Sequence, residues 1–361
     1  MTELIAGFFA PWLIYALLMA LHLVLPARAV EGYVRDPRSG EPLRYRLNGP
    51  LVLVAAVALW ALAGRSRLLP WDWLYNHRWS ALAGACAIGL LFSFAMLLPA
   101  RAGGRPFLAD LYFGRLENPR FFGGRVDAKM FLYLAGAVML CLNLLASFAH
   151  HLMAFGSAAS PGIALYCFLF IWFVIDYLVF ERVHLYTYDI FAERVGFKLG
   201  WGCLAFYPYF YAVGLWATAE LPDPHAAPWL LIACRCVFFA GWILSRGANL
   251  QKYIFKTSPE RALLGILKPR TVSDGKYALL CSGFWGVSRH INYLGEILMA
   301  TGLTLALGWP SVWAAWLYPL YYVVLLFPRE RADERRCEAK YGELWKEYVR
   351  RVPRRIVPGL Y

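Results

Sequence analysis

The sequence is short of charge: Asp, Glu, Lys and Arg together make up 16% of its 361 residues. It holds no stretch of polar composition long enough to fold alone in water, and no internal repeat or low-complexity tract, so neither a soluble domain nor a solenoid is indicated. No C-x-x-C pair occurs among its eight cysteines, and Cys86, Cys141, Cys167, Cys203, Cys234 and Cys236 fall inside apolar runs. That pattern offers neither a disulfide framework nor a zinc site, and no metal is expected. G-x-G-x-x-G is also missing, which argues against a Rossmann nucleotide-binding domain.

What the chain has is apolar surface. Hydrophobic residues reach 60%, aromatic residues 17% and mean hydropathy is +0.49, more than a soluble core of this length can hide. Crossing a bilayer takes roughly 20 mainly apolar residues per helix, since only helices and closed barrels satisfy every backbone group away from water. Candidate spans run over 4–25, 50–63, 80–98, 130–155, 161–180, 199–219, 228–244, 293–308 and 311–327. The fold expected is all-α: a polytopic transmembrane helical bundle of about nine or ten spans, with a cytosolic C-terminal segment.

The formal net charge of +13 does not point to nucleic acid, because the basic residues alternate between sides. The loops after spans one, three, five and seven and the C-terminal tail hold nearly all of them, while the opposite loops hold only Arg65, Arg67 and Arg78. By the positive-inside rule the N-terminus lies outside and the C-terminus in the cytosol. Ala27-Arg28-Ala29 follows the first span like a cleavage site, but the segment carries Glu3 instead of a basic start and is too long for a signal core, so it reads as a retained helix. Arginine outnumbers lysine, a compositional hint of a GC-rich bacterial genome; the expected home is a bacterial inner membrane, or the endoplasmic reticulum in a eukaryote.

Residues 1–361 form one membrane domain, with 1–245 mainly on the lipid-substrate side and 246–361 carrying the polar ligand. The second part is dense in motifs. Ser282-Gly283-Phe284-Trp285-Gly286 leads through Arg289-His290-Ile291-Asn292-Tyr293-Leu294-Gly295-Glu296. Arg329 and Asp333-Glu334 follow, then Lys340-Tyr341-Gly342 with Trp345 and Tyr348, then Val352-Pro353-x-Arg355-x-x-Pro358-Gly359. Upstream lie Tyr45-Arg46-Leu47-Asn48-Gly49, the Gly114-to-Arg120 loop with Asn118-Pro119-Arg120, Asp176, Glu181, Asp189 and the Gly196-to-Gly202 run.

In residues and spacing this set resembles the sterol reductase family of C14, C7 and C24 sterol reductases, along nearly the whole chain. The departures are Glu296 for the family's usual Asp, Pro328 for its His and Lys256 for its frequent Arg. The resemblance implies NADPH-dependent reduction of a carbon-carbon double bond in a sterol, with C14 favoured and C7 or C24 as alternatives. An isolated alkene is electron-rich, so a proton must add before hydride can, and the site needs an acid, a reduced nicotinamide and dryness.

By resemblance Lys252, Lys256, Arg329 and Asp333 form the cofactor clamp. Composition alone would read the lysines as membrane-side anchors and Arg329 with Asp333 as a solvated i, i+4 pair. Arg289, His290 and Asn292, with Tyr293, enter an apolar span, where polar groups are expensive unless paired or functional, and are assigned to the nicotinamide ribose and pyrophosphate. Tyr341, Trp345 and Tyr348 recur at helical spacing, as a stacking surface for adenine or as amphipathic packing. Candidates for the proton donor are Asp176 and Glu181, then Glu296, each of which could instead hold helices by pairing with arginine. His150 and His151 point about 100° apart and suit a packed role better than a metal.

Two other readings stand beside this one. A membrane methyltransferase of the isoprenylcysteine type, using S-adenosylmethionine, resembles the R-H-x-x-Y-x-G-E and Y-G-x-x-x-x-Y pieces. A non-catalytic sterol-binding protein could keep the fold without the reaction.

Overall fold

Proline sets the start of three membrane helices, because its missing N–H is one that a first turn leaves unbonded anyway. Pro50, Pro161 and Pro228 open the helices Gly49–Arg65, Pro161–Val179 and Pro228–Thr257. Asp127 caps the helix Ala128–Phe155 by accepting from Met130 N at 3.1 Å, and Ser160 caps Pro161–Val179 by accepting from Gly162 N at 3.2 Å. The computed structural model describes residues 1–37, 39–101 and 104–361; Arg38, one of the basic residues of the first polar loop, lies outside them. The chain divides into two compact units, Met1–Asp223 and Pro224–Tyr361. The division expected at 245 would cut through the continuous helix Pro228–Thr257.

Most of each expected span other than 199–219 lies on helix, and the fold is helical as the sequence indicates. Among the described residues, five helices are long and apolar enough to cross a membrane: Thr2–Val24, Arg78–Ala95, Ala128–Ala158, Pro161–Val179 and Pro228–Thr257. Gly49–Arg65 and Ile291–Ala306 are shorter apolar helices. The run expected at 199–219 is broken into Phe197–Trp201, a wide π-helical stretch Gly202–Phe210 containing Pro208, and Val213–Thr218. Proline inside a helix lacks the N–H that would bond the carbonyl one turn before it. The Tyr15 hydroxyl donates to Leu204 O, the carbonyl four residues before Pro208, and Asn143 Nδ2 donates to Pro208 O at 2.8 Å, so the break is satisfied internally. Not foreseen were three two-stranded antiparallel hairpins in the polar loops: Arg28–Arg35 with Pro42–Leu47, Arg120–Phe121 with Val126–Asp127, and Thr271–Ser273 with Ala278–Leu280.

In the first unit, Ala128–Phe155 is the central helix: 83% of its apolar window is buried, against 28% for Thr2–Val24. His151 Nδ1 donates to Ala219 O at 2.8 Å while Nε2 accepts from Ser160 N at 2.9 Å, so it is a satisfied core histidine, and His150 pairs with Asp72 at 3.0 Å. Leu13, Val54, Leu91 and Phe168 stand exposed on the outer helices, as lipid-facing side chains do. The Arg46-x-Asn48-Gly49 signature closes the C-terminal end of Thr2–Val24. Arg46 donates to the carbonyls of His22 (3.1 Å), Leu23 (3.2 Å) and Leu25 (2.5 Å), and Asn48 Nδ2 to those of His22 (3.1 Å) and Leu25 (3.4 Å).

In the second unit, Pro228–Thr257 and Ile291–Ala306 cross at backbone distance. A Cβ on Gly295 would lie 2.5 Å from Gly241 O and Ser245 N; one on Gly302 would lie 2.9 Å from Cys234 O. With no hydrophobic drive between helices in lipid, such small-residue contact is what holds them. Gly295→Ala is therefore expected to destabilise the protein by about 1–3 kcal/mol through overpacking, whereas Gly202→Ala, with open space around it, should be near neutral. Thermal unfolding of both variants in one detergent checks this; equal midpoints would refute the close crossing.

Candidate cofactor site

Gln251, near the end of Pro228–Thr257, fixes the Ser282-Gly283-Phe284-Trp285-Gly286 loop. Its Nε2 donates to Ser282 O at 3.1 Å and its Oε1 accepts from Phe284 N at 3.0 Å. Gly283 has φ +61°, and a Cβ there would sit 2.3 Å from Gln251 Nε2, so both conformation and space call for glycine. Trp285 Nε1 donates to Ala248 O at 2.8 Å, which holds its ring 5.4 Å from Lys252 Nζ. Gln251 and Trp285 were not among the residues expected to build the site, although Trp285 lies in a motif that carried the resemblance.

The next segment, Ser288-Arg289-His290, is bound along its length to the C-terminal tail. Arg289 N donates to Arg354 O at 3.0 Å, His290 N to Arg355 O at 2.8 Å, and Ser288 Oγ to Arg355 O at 2.6 Å. The Arg289 guanidinium, its side chain 2% exposed, gives Nε to Glu334 at 2.6 Å and Nη1 to Val352 O at 2.7 Å and Pro353 O at 2.9 Å. Arg289, expected at the nicotinamide ribose and pyrophosphate, thus has its Nε and Nη1 on protein acceptors. Burial, reinforced by the positive charges of Lys252, Arg289, Arg355 and Arg329, holds His290 down at about 3, so its ring is neutral; it stacks on Tyr293 at 4.9 Å. Asn292 Oδ1 is buried with no hydrogen-bond partner among the described residues.

The remaining residues expected to bind cofactor lie on three helices of this unit. Lys252 and Lys256 sit one turn apart on Pro228–Thr257; Arg329, Asp333 and Tyr341 share a face of Leu317–Tyr341 at four- and eight-residue intervals. The charges of Lys252 and Lys340 bear on Lys256, and those of Asp333 and Lys252 on Cys337, so polar groups of the two helices lie within one another's field. Trp345 and Tyr348, on the helix Glu343–Arg351, turn inward into an apolar cluster with Val272, Leu344 and Val352, at 8% and 4% exposure. Tyr341 packs against that cluster from its partly exposed edge.

Comparison of the sequence with known proteins shows the family. Residues 5–361 match the model of the Ergosterol biosynthesis ERG4/ERG24 family. The chain belongs to this family of sterol reductases. It is 33% identical over 352 residues to a Delta(14)-sterol reductase of Arabidopsis thaliana, covering 94% of this chain and 91% of the relative. It is 32% identical to a Delta(14)-sterol reductase of Methylotuvimicrobium alcaliphilum (99% and 83% covered) and 34% to Delta(14)-sterol reductase TM7SF2 of Mus musculus (98% and 86%). Family membership sets aside the methyltransferase reading.

The acid candidates of this sterol reductase are divided between the units. Asp176 is buried near the end of Pro161–Val179, and Glu181 follows it, its Oε2 accepting from Gly49 N at 3.0 Å. Glu296 lies in the second unit and accepts from Ser245 Oγ at 2.6 Å. Burial lifts Glu181 to about 7, opposed by the Gly49 N–H. Because the folded value lies above the ordinary 4.5, the native state holds this proton more tightly than the unfolded chain does. The stabilisation is complete below pH 4.5 and is lost as pH rises through about 7, a difference on the order of 3 kcal/mol. Unfolding midpoints of the protein and of Glu181→Gln between pH 4.5 and 8 should diverge with rising pH, the unsubstituted protein falling; parallel curves would show that Glu181 does not titrate there.

Proposed function

We propose that this protein reduces the C14 double bond of a sterol with NADPH, by protonation of the alkene followed by hydride transfer. The observation that carries the reading is that relatives from a plant, a bacterium and a mouse, each matched over nearly its full length, bear the name Delta(14)-sterol reductase. When bound, the reduced nicotinamide supplies the hydride.

The second unit has the chemistry to hold such a nucleotide. Lys252, Lys256 and Arg329 offer cationic donors to the 2′-phosphate and pyrophosphate, and Asp333 accepts from a ribose or adenine N–H or O–H. Asn292 Oδ1 is a buried acceptor that a carboxamide or ribose hydroxyl would satisfy, and a buried unsatisfied acceptor is costly to leave so. Neutral His290 with Tyr293 lines the same segment as a hydrogen-bonding rather than a charged group, and Arg289 positions that segment. Of the three rings, Tyr341, at the partly exposed edge of the cluster that Trp345 and Tyr348 fill, is the one able to stack on adenine. A proton donor from Asp176, Glu181 or Glu296 would meet the alkene in apolar surroundings that keep water from a cationic intermediate. The alternation of basic loops supports a site on the cytosolic face, in the bacterial inner membrane or, in a eukaryote, the endoplasmic reticulum.

Purified protein supplied with NADPH and a C14-unsaturated sterol should yield a product heavier by two hydrogens, whereas C7- and C24-unsaturated sterols should react more slowly. Lys252→Ala should raise KM for NADPH about 10- to 100-fold, the loss of one charge-assisted contact, with a smaller effect on kcat. No mass gain with any of the three sterols would defeat the proposal and favour a non-catalytic sterol-binding role.

A further inference from the structure

One carboxylate in the second unit belongs to no motif and is completely buried. Glu330 follows Arg329 on the helix Leu317–Tyr341 and is 0% exposed. Its Oε2 accepts from the Tyr361 hydroxyl at 3.2 Å, and Arg355 Nε lies 3.7 Å from its Oε1. Arg355 Nη1 donates to the same Tyr361 hydroxyl at 3.2 Å, and the amides of Arg355 and Ile356 both donate to Tyr361 O at 3.1 Å. Tyr361 is thereby folded back with its ring 5.1 Å from Phe327.

Glu334 lies one helical turn further on and holds Arg289. Two carboxylates on one helix face therefore each take an arginine from one of two segments, 288–290 and 352–356, that are themselves hydrogen-bonded together. Side by side they would repel, and each is answered by its own guanidinium. Resting on the NADPH reading above, we propose that Glu330 is a positioning residue for the cofactor site: through Arg355 and Tyr361 it anchors the tail to which Ser288, Arg289 and His290 are bonded, just ahead of Asn292.

A nitrogen of His290 and an oxygen each of Glu330 and Glu334 lie within 4.8 Å of one another, a grouping that could also hold a metal ion. The charges around it oppose that use. Lys252, Arg289, Arg355 and Arg329 all act on His290, and both carboxylates already face arginines, so a divalent cation would enter a field that repels it. The burial of Glu330 suits a tether better than a metal ligand in exchange with solvent.

The test compares NADPH binding and steady-state kinetics of the full chain with those of Glu330→Gln, which keeps shape and loses charge, and Tyr361→Phe, which loses one hydroxyl. Glu330→Gln should raise Kd and KM for NADPH about tenfold while kcat at saturation changes less than about twofold and KM for sterol is unmoved, because a positioning group serves ground and transition states alike. Tyr361→Phe should give about a threefold rise, and the double variant should be no weaker than Glu330→Gln alone, since both act through one contact. Should Glu330→Gln fail to fold, Tyr361→Phe decides the matter by the same kinetic split. Unchanged NADPH affinity in a folded variant, a fall confined to kcat, or stoichiometric zinc binding that Glu330→Gln abolishes would each overturn the proposal. Absence of saturable NADPH binding by the unsubstituted protein would instead remove the cofactor reading beneath it.

Discussion

A guanidinium shut away from water governs the second unit. Arg289 cannot lose its charge, and burying it without partners would cost more than the chain's whole margin of stability. The fold answers by bringing it Glu334 and the carbonyls of Val352 and Pro353. Those carbonyls can reach it only if the tail lies alongside 288–290, and the tail lies there only if its own amides and carbonyls pair with that segment. One buried cation thus dictates where the last ten residues run, and with them the geometry of the signature segment that ends in Asn292.

A parallel economy of backbone groups shapes the first unit. The helix Thr2–Val24 ends with carbonyls that lack intrahelical donors, and at the edge of a bilayer water satisfies them poorly. Arg46, Asn48 and Arg125 supply the donors, the last to Leu23 O at 2.8 Å. Gly49 then lets Glu181 approach, since a Cβ there would stand 2.5 Å from a carboxylate oxygen. Motif strength and ligand contact are separate properties. A string of residues with a strong signature can be serving a helix end, as Arg46 and Asn48 do, while a residue outside every motif, such as Glu330, can join two segments.

Helix content and the order of spans were legible because long apolar runs bounded by proline and polar loops admit few alternatives. The break at 202–210 was not, because the carbonyl that Pro208 leaves unbonded, Leu204 O, is answered by Tyr15, and Pro208 O by Asn143, both far away in sequence. The hairpins escaped for a similar reason: strands of two to eight residues rich in Arg and Tyr carry no alternation that hydropathy detects. In the site, the lysine and Arg-Asp spacings indicated shared faces correctly. What spacing could not show was direction. Arg289 and Lys252 look equally available as letters, yet one is spent inside the fold and the other stands over an indole.

That difference bears on how charge is used near the membrane. Had every basic residue of the second unit been free to meet an anion, mutual repulsion would have opposed folding in the absence of ligand. Instead the arginines nearest the apolar helix Ile291–Ala306 are neutralised in place by Glu330 and Glu334, and His290 stays uncharged at the helix entry. The lysines lie further along, on the polar end of Pro228–Thr257, where a bound phosphate would meet them without drawing on the structural pairs. On the proposed reading, the cations that hold the fold are distinct from those offered to an anion, so that a nucleotide would come and go while the tail remains closed.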